Sequence, residues 1–288
     1  MLKSLSKDPI KLFFPISLFC LLYASLLWIL FGLFQVGNFP VRAHANLFIG
    51  GFLYYSILVF FITTIPHYMQ TQKLSQRDLF ISILIILSTF FSNIFESIIL
   101  FWFFILLGFI FLIYFLLKNF LSRKQNPPLS FTFIVLGILF GVLGSLSKLM
   151  YHLEPNVVGY LEQWGKVFFY DAMATSFILG VLGYDVIAHK TNRKLSFIHP
   201  IEVFMGAAFF SLSYFLEIFG IVFISYVLRA LVITLFALRY WKIHRKGKNK
   251  NWFVMMLCIS CWMLLISAWG LCFIAVSYTH LRAHETRH

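Results

Sequence analysis

Acidic residues are scarce in this chain: ten Asp and Glu in 288 positions, with charged residues of both signs making up 11%. A soluble domain carries about 25% charged residues, so there is too little charge here to clothe a water-exposed globule. Prolines number eight, most of them in loops or at the ends of apolar runs, which excludes a Pro-rich linker. The four cysteines, Cys20, Cys258, Cys261 and Cys272, all lie inside apolar runs, where a free thiol behaves as a small hydrophobe. Cys258 and Cys261 have CxxC spacing but no polar loop around them. There is no P-loop, no Gly-rich dinucleotide turn and no soluble catalytic domain, so nucleotide chemistry of the familiar kinds is excluded.

What is abundant is apolar: 61% hydrophobic residues, including 37 phenylalanines. A membrane-spanning helix needs about 20 mostly apolar residues, and nine runs qualify, at roughly 11–35, 46–66, 79–95, 97–117, 129–151, 165–188, 200–217, 219–240 and 252–275. The third and fourth runs meet at "SNIFES" and the seventh and eighth at "FLEIFG", both read as tight helical hairpins. The fold class predicted is all-α, a polytopic transmembrane helical bundle whose solvent and main partner is the lipid bilayer. The first run is longer than the 7–15 residues of a signal-peptide core and reads as a retained anchor.

The net charge of +13 does not point to nucleic acid, because the basic residues come in short bursts between runs and form no continuous face. With the N-terminus in the cytoplasm, the inner segments hold Lys3, Lys7 and Lys11; Lys73 and Arg77; Lys118, Arg123 and Lys124; Lys190, Arg193 and Lys194; and the cluster from Arg239 to Lys250. The outer loops hold Arg42 and Lys166, beside Glu96, Glu154, Glu162 and Glu217. Lys and Arg therefore alternate as the positive-inside rule requires of nine spans.

Ionisable side chains within spans cost roughly 2.5–3.5 kcal/mol on insertion scales and so face partners or cavities. Three stand out: Lys148 near the outer end of the fifth run, Asp171 at similar depth in the sixth, and Arg229 near the middle of the eighth. Antiparallel neighbours bring Lys148 and Asp171 within reach of one another as a structural pair, whereas Arg229 has no partner evident in the sequence. His44 opens the second run and His152 closes the fifth, both on the outer side, while His67, His189, His199 and His244 fall on the inner side. Imidazole is a common ligand for heme iron and copper, though a lone interfacial histidine is more often simply solvated. No internal repeat is evident, and there is no long soluble insertion.

The segments "DPIKLFFPISLF", "RAHANLFIGGF" (42–52) and "FITTIPHYMQTQKLS" (61–75) resemble the NnrS family of bacterial inner-membrane proteins. In that family a His-rich entry leads into the second span; His44 matches its second histidine and Arg42 stands where the first would be. "SKLMYHL" (147–153) is similar to the end of the family's fifth span, with His152 at its histidine. "GVLGYDVIAHKTN" (180–192) and "ALRYWKIHRKGKNKNWFVMMLCISCW" (237–262) extend the likeness, although Tyr184 and Asp185 replace a Gly-Gly-Arg pattern, and Cys258 to Trp262 replace a Leu-His-x-x-Tyr. The resemblance implies heme and copper, a small diatomic ligand, a role in nitric oxide stress or denitrification-related metabolism, and His44 and His152 as candidate heme or copper ligands. It writes no reaction. Two other readings stand beside it: a small-solute transporter using Lys148, Asp171 and Arg229, and a structural membrane protein without a ligand.

Residues 1–275 are thus expected to form one transmembrane domain, cut short at its C-terminal end, since the family resemblance implies further helices. The tail "SYTHLRAHETRH" puts His280, His284 and His288 at helical spacing, as a metal-binding helix would. Yet "VSYTHLRAHET" (276–286) resembles one reading frame of an adapter used in DNA library preparation, and 276–288 are therefore expected to be foreign to the protein.

Overall fold

The computed structural model describes residues 9–34, 44–71, 74–154, 159–191, 199–241 and 252–285. Among them nine helices are long and apolar enough to cross a membrane, and the fold is all-α, as the composition requires. We number them α1 (Ile10–Phe34), α2 (Asn46–Met69), α3 (Gln76–Ile94), α4 (Ile98–Leu121), α5 (Phe131–Leu153) and α6, built of Tyr160–Gly165, Lys166–Met173 and Ala174–Thr191. The last three are α7 (Pro200–Ile218), α8 (Val222–Tyr240) and α9 (Trp252–Glu285). The protein is a multi-pass membrane protein.

Most boundaries fall within a few residues of the hydropathy reading, and the departures have local causes. α3 starts earlier than its apolar run because Ser75 caps it, its hydroxyl oxygen accepting from the Asp78 N–H at 3.1 Å; a capped first turn tolerates polar residues. α9 continues past the expected end near 275 as far as Glu285. Three stretches are wound as π-helix: Asn46–Leu53 at the entry of α2, Lys166–Met173 in α6 and Phe236–Tyr240 at the end of α8. Such widened turns are rare and concentrate at functional sites.

The chain forms two compact units. The first comprises 1–127 with 141–170, the second 128–140 with 171–288. In the first, α1 packs on both α2 and its π-helical entry, α2 packs on α4, and α3 pairs with α4. Small residues allow these approaches: Gly50 lies against the Phe101 ring and Gly51 against Cys20, the close backbone contact by which membrane helices associate. In the second unit α7 pairs with α8, and α9 packs on α8 and on the Ala174–Thr191 part of α6. Phe133, Phe210 and Phe236 make edge-to-face contacts at its centre, with ring centroids 5.7 and 5.0 Å apart.

Contrary to the sequence reading, the helices repeat. One interval separates Gln76 from Pro200, Ile94 from Ile218, and Ile98 from Val222, so α3–α4 and α7–α8 are hairpins in the same register, with first arms of equal length. Their turns share three backbone bonds. Phe95, Glu96 and Ser97 donate to Phe91, Asn93 and Ser92; Phe219, Gly220 and Ile221 donate to Phe215, Glu217 and Leu216. The middle residue is left-handed in both, Glu96 at φ 54° and Gly220 at φ 82°. Each hairpin is preceded by a span containing an eight-residue π-helical stretch, Asn46–Leu53 or Lys166–Met173.

The repeat extends to an ion pair. Asp78 and Glu202, again one interval apart, sit in the first turns of α3 and α7. Lys118, in the last turn of α4, donates to Asp78 Oδ2 at 2.7 Å, and Arg239, near the end of α8, donates to Glu202 Oε1 at 2.7 Å. An acid near a helix start also suits the helix dipole.

Candidate functional site

His44 stands just before the π-helical entry of α2, and the packing of that entry on α1 determines its surroundings. Its Nδ1 lies 3.0 Å from the Ala24 carbonyl oxygen. A carbonyl can only accept, so Nδ1 carries the proton and the Nε2 lone pair of the neutral ring is left for another partner. The ring stacks on Phe48, with centroids 5.9 Å apart and an 18° tilt, and meets the Trp28 ring edge-on at 5.8 Å. A backbone carbonyl on one imidazole nitrogen is the usual support for a metal on the other.

His152 lies half-buried at the end of α5 with its ring 5.2 Å from that of Tyr151. Four residues before it on the same helix, Lys148 is buried, its stem lying across Gly165 and its Nζ 5.6 Å from the Tyr170 ring centroid. His67 and His199 are exposed. His244 and His288, and the side chains of His189, His280 and His284, lie outside the described residues.

In the second unit, the structure supplies the partners that Arg229 lacks in the sequence. Its guanidinium is 3% exposed and donates to Asp171 Oδ2 and to Glu217 Oε2, each at 2.6 Å. Asp171, which the sequence offers as a partner for Lys148, therefore holds Arg229. The guanidinium carbon stands 3.6 Å above the Tyr214 ring centroid and 5.3 Å from that of Tyr226. Ser213 Oγ and Ser225 Oγ accept longer bonds of 3.4 Å from it. The carboxylates are held in turn: Thr175 donates to Asp171 Oδ1 and Tyr226 to Glu217 Oε1, both at 3.2 Å.

Glu217, Tyr214 and Tyr226 do not stand out in the sequence, because hydropathy puts Glu217 in an outer loop. A signal is present nonetheless. Ser213, Tyr214 and Glu217 fall at helical spacing on α7, and Ser225, Tyr226 and Arg229 do so on α8, giving a polar stripe on each arm of a hairpin.

A family model described as NnrS protein matches residues 4–288. The chain belongs to the NnrS family. No curated protein and no solved structure matches it. The family match runs through 276–288 as well as the nine spans.

For an NnrS protein the chemistry of the donors can be weighed against heme and copper. Heme iron takes one or two axial side chains, and His44 presents one imidazole in the tautomer that leaves Nε2 available. Among the described residues no group of three or more His, Cys, Asp or Glu converges as a multi-donor metal site. His44 is the residue that would hold heme iron, through Nε2.

Proposed function

We propose that this NnrS protein binds heme at the entry of α2 and serves nitric oxide tolerance or denitrification-related metabolism in the bacterial inner membrane, with its N-terminus in the cytoplasm. The observation that carries this reading is the His44–Ala24 hydrogen bond. It fixes the tautomer and aims the ring. Phe48 and Trp28 restrict ring rotation and keep water from its faces. Bound heme iron would supply a coordination position for a diatomic ligand. His152 is the second candidate ligand, for heme or for copper.

Optical spectra of the full-length protein purified from heme-replete membranes test this reading. Heme absorbance that is lost in His44→Ala and retained in His67→Ala is the expected result. Absence of heme from the wild type, or spectra unchanged by both His44→Ala and His152→Ala, overturns it. Reporter fusions at the N-terminus and after Lys118 read the orientation.

A second reading, a small-solute transporter, is favoured by the repeat of the α3–α4 hairpin in α7–α8 and by the charges Asp171 and Arg229 within spans. Transporters are often built from repeated helical units and carry ionisable residues on their pathways. Uptake into proteoliposomes that is abolished by Arg229→Met distinguishes it from the heme reading and from a purely structural protein.

A further inference from the structure

The Arg229 cluster has more acid than its arginine needs. One carboxylate neutralises one guanidinium; here Asp171 and Glu217 both bind it, at 2.6 Å each. Arg229 lies about 10 Å along α8 from Val222, at 1.5 Å per residue, inside an apolar segment. A charge kept there without a counter-charge is costly. The excess is open on one side, because Asp171 is 37% exposed while Glu217 is 14% exposed and Arg229 is 3%.

A structural explanation is weakened by the molecule itself, since the α3–α4 hairpin is the same hairpin without the cluster. Asn93 occupies the place of Glu217, Ile105 that of Arg229 and Phe90 that of Tyr214, and Gly51 holds the place in its π-helical stretch that Asp171 holds in the other. Turn, register and the ion pair near the helix ends all form with those residues. Only the second hairpin carries this group of charges.

An independent observation lies beside it. Tyr214 is fully buried, its ring is the floor under Arg229, and its hydroxyl has no hydrogen-bond partner among the described residues. A buried hydroxyl left unpaired costs about 1–3 kcal/mol. The Tyr214 hydroxyl is within electrostatic reach of Asp171, the more exposed of the two carboxylates. Among the described residues of this unit, the titratable and charged groups around the carboxylates are Tyr214 from α7, Tyr226 and Arg229 from α8, and the Cys272 thiol of α9, which is within electrostatic reach of Arg229. Phe140 of α5 closes over Tyr214 at 5.5 Å between ring centroids.

We propose that this cluster is a binding site for one monovalent cation, a proton or an alkali ion, taken up on the Asp171 side and held by the Asp171 and Glu217 carboxylates. Arg229 and the hydroxyls of Thr175 and Tyr226 fix the two carboxylates, and the unpaired Tyr214 hydroxyl is left to the ion. A proton converts one carboxylate to a carboxylic acid, with no other bond changed. An alkali ion uses carboxylate and hydroxyl oxygens, the hard donors such ions prefer.

The test uses the full-length protein in detergent, with Asp171→Asn and Glu217→Gln as variants and Glu202→Gln, outside the cluster, as control. Thermal midpoints are compared in sodium, potassium and choline chloride at one pH and ionic strength. Infrared difference spectra on acidification then look for a carboxylic acid band. A midpoint raised by one alkali ion over choline, lost in Asp171→Asn and kept in Glu202→Gln, establishes the alkali ion. A protonation band assigned to Asp171 or Glu217, without an alkali effect, establishes the proton. Should the variants fail to fold, wild-type protein carrying isotope-labelled aspartate or glutamate provides the band assignment. No alkali effect and no protonation of either carboxylate overturns the proposal. The measurement needs no heme, so its failure and that of the heme reading are separable.

Discussion

The guanidinium of Arg229 lies face-on over the ring of Tyr214, its carbon 3.6 Å from the centroid, while the Tyr214 hydroxyl beyond it is buried and unpaired. Ring and hydroxyl therefore contribute with opposite sign. Tyr214→Phe keeps the cation–π contact and removes an unpaired polar atom, so it should be neutral or stabilising by up to about 1 kcal/mol in the absence of a bound ion. Tyr214→Leu loses the contact, worth about 2 kcal/mol when desolvated, along with ring volume. Denaturation of the two variants in the same detergent checks the order.

The paired acids should differ in weight although they are equivalent in the repeat. Asp78 has a side chain 2% exposed and also accepts from Ser75 Oγ at 2.7 Å, whereas Glu202 is 34% exposed. Removing the hydrogen-bonded charge at Asp78 with Asp78→Ala is expected to cost about 2 kcal/mol, since Ser75 and Lys118 lose a buried charged acceptor. Glu202→Ala is expected to cost about 1 kcal/mol. A double-mutant cycle of each acid with Lys118 or Arg239 measures the difference.

The two left-handed turn residues make a matched pair of opposite predictions. Gly220→Ala places a side chain where φ is 82° and should destabilise by about 1 kcal/mol. Glu96→Gly relieves the same backbone demand at φ 54° and should stabilise the α3–α4 hairpin by up to about 1 kcal/mol. Proteolysis or thermal midpoints of the two variants would show the opposite signs.

A methyl group at Gly108 would run into the Tyr54 hydroxyl, which is itself buried without a partner. Gly108→Ala should cost about 1–3 kcal/mol through overpacking. Adding Tyr54→Phe removes the nearest obstructing atom but leaves the ring carbon that bore it in close contact, so it should recover part of the loss, while Tyr54→Phe alone should be close to neutral. Non-additivity in this pair is the readout.

The sequence carries the spans plainly because a bilayer asks every lipid-facing position the same question. Phe, Leu and Ile answer it at almost any place, so the nine runs are legible. The repeat is hidden for the same reason: interchangeable apolar residues keep no record of common register. It survives where chemistry is particular, at the left-handed residues Glu96 and Gly220 and at the acids Asp78 and Glu202. His44 can be named from the sequence, but its tautomer cannot, since the Ala24 carbonyl comes from another helix. Glu217 reads as a loop residue because a tight helical hairpin offers hydropathy no clear boundary.

The widened winding of Asn46–Leu53 also sets where His44 points. Successive residues of an ordinary helix advance by about 100°, so each extra residue accommodated in the coil acts as an angular offset between the turn before it and the turn after it. Tyr54 and Tyr55, just beyond the stretch, are buried, and they anchor the body of α2. Removing one residue between 46 and 53 would leave that body in place and swing His44 by about a quarter turn, away from the Ala24 carbonyl. The imidazole is in this sense aimed like a hand on a dial, by the count of residues in the coil beneath it.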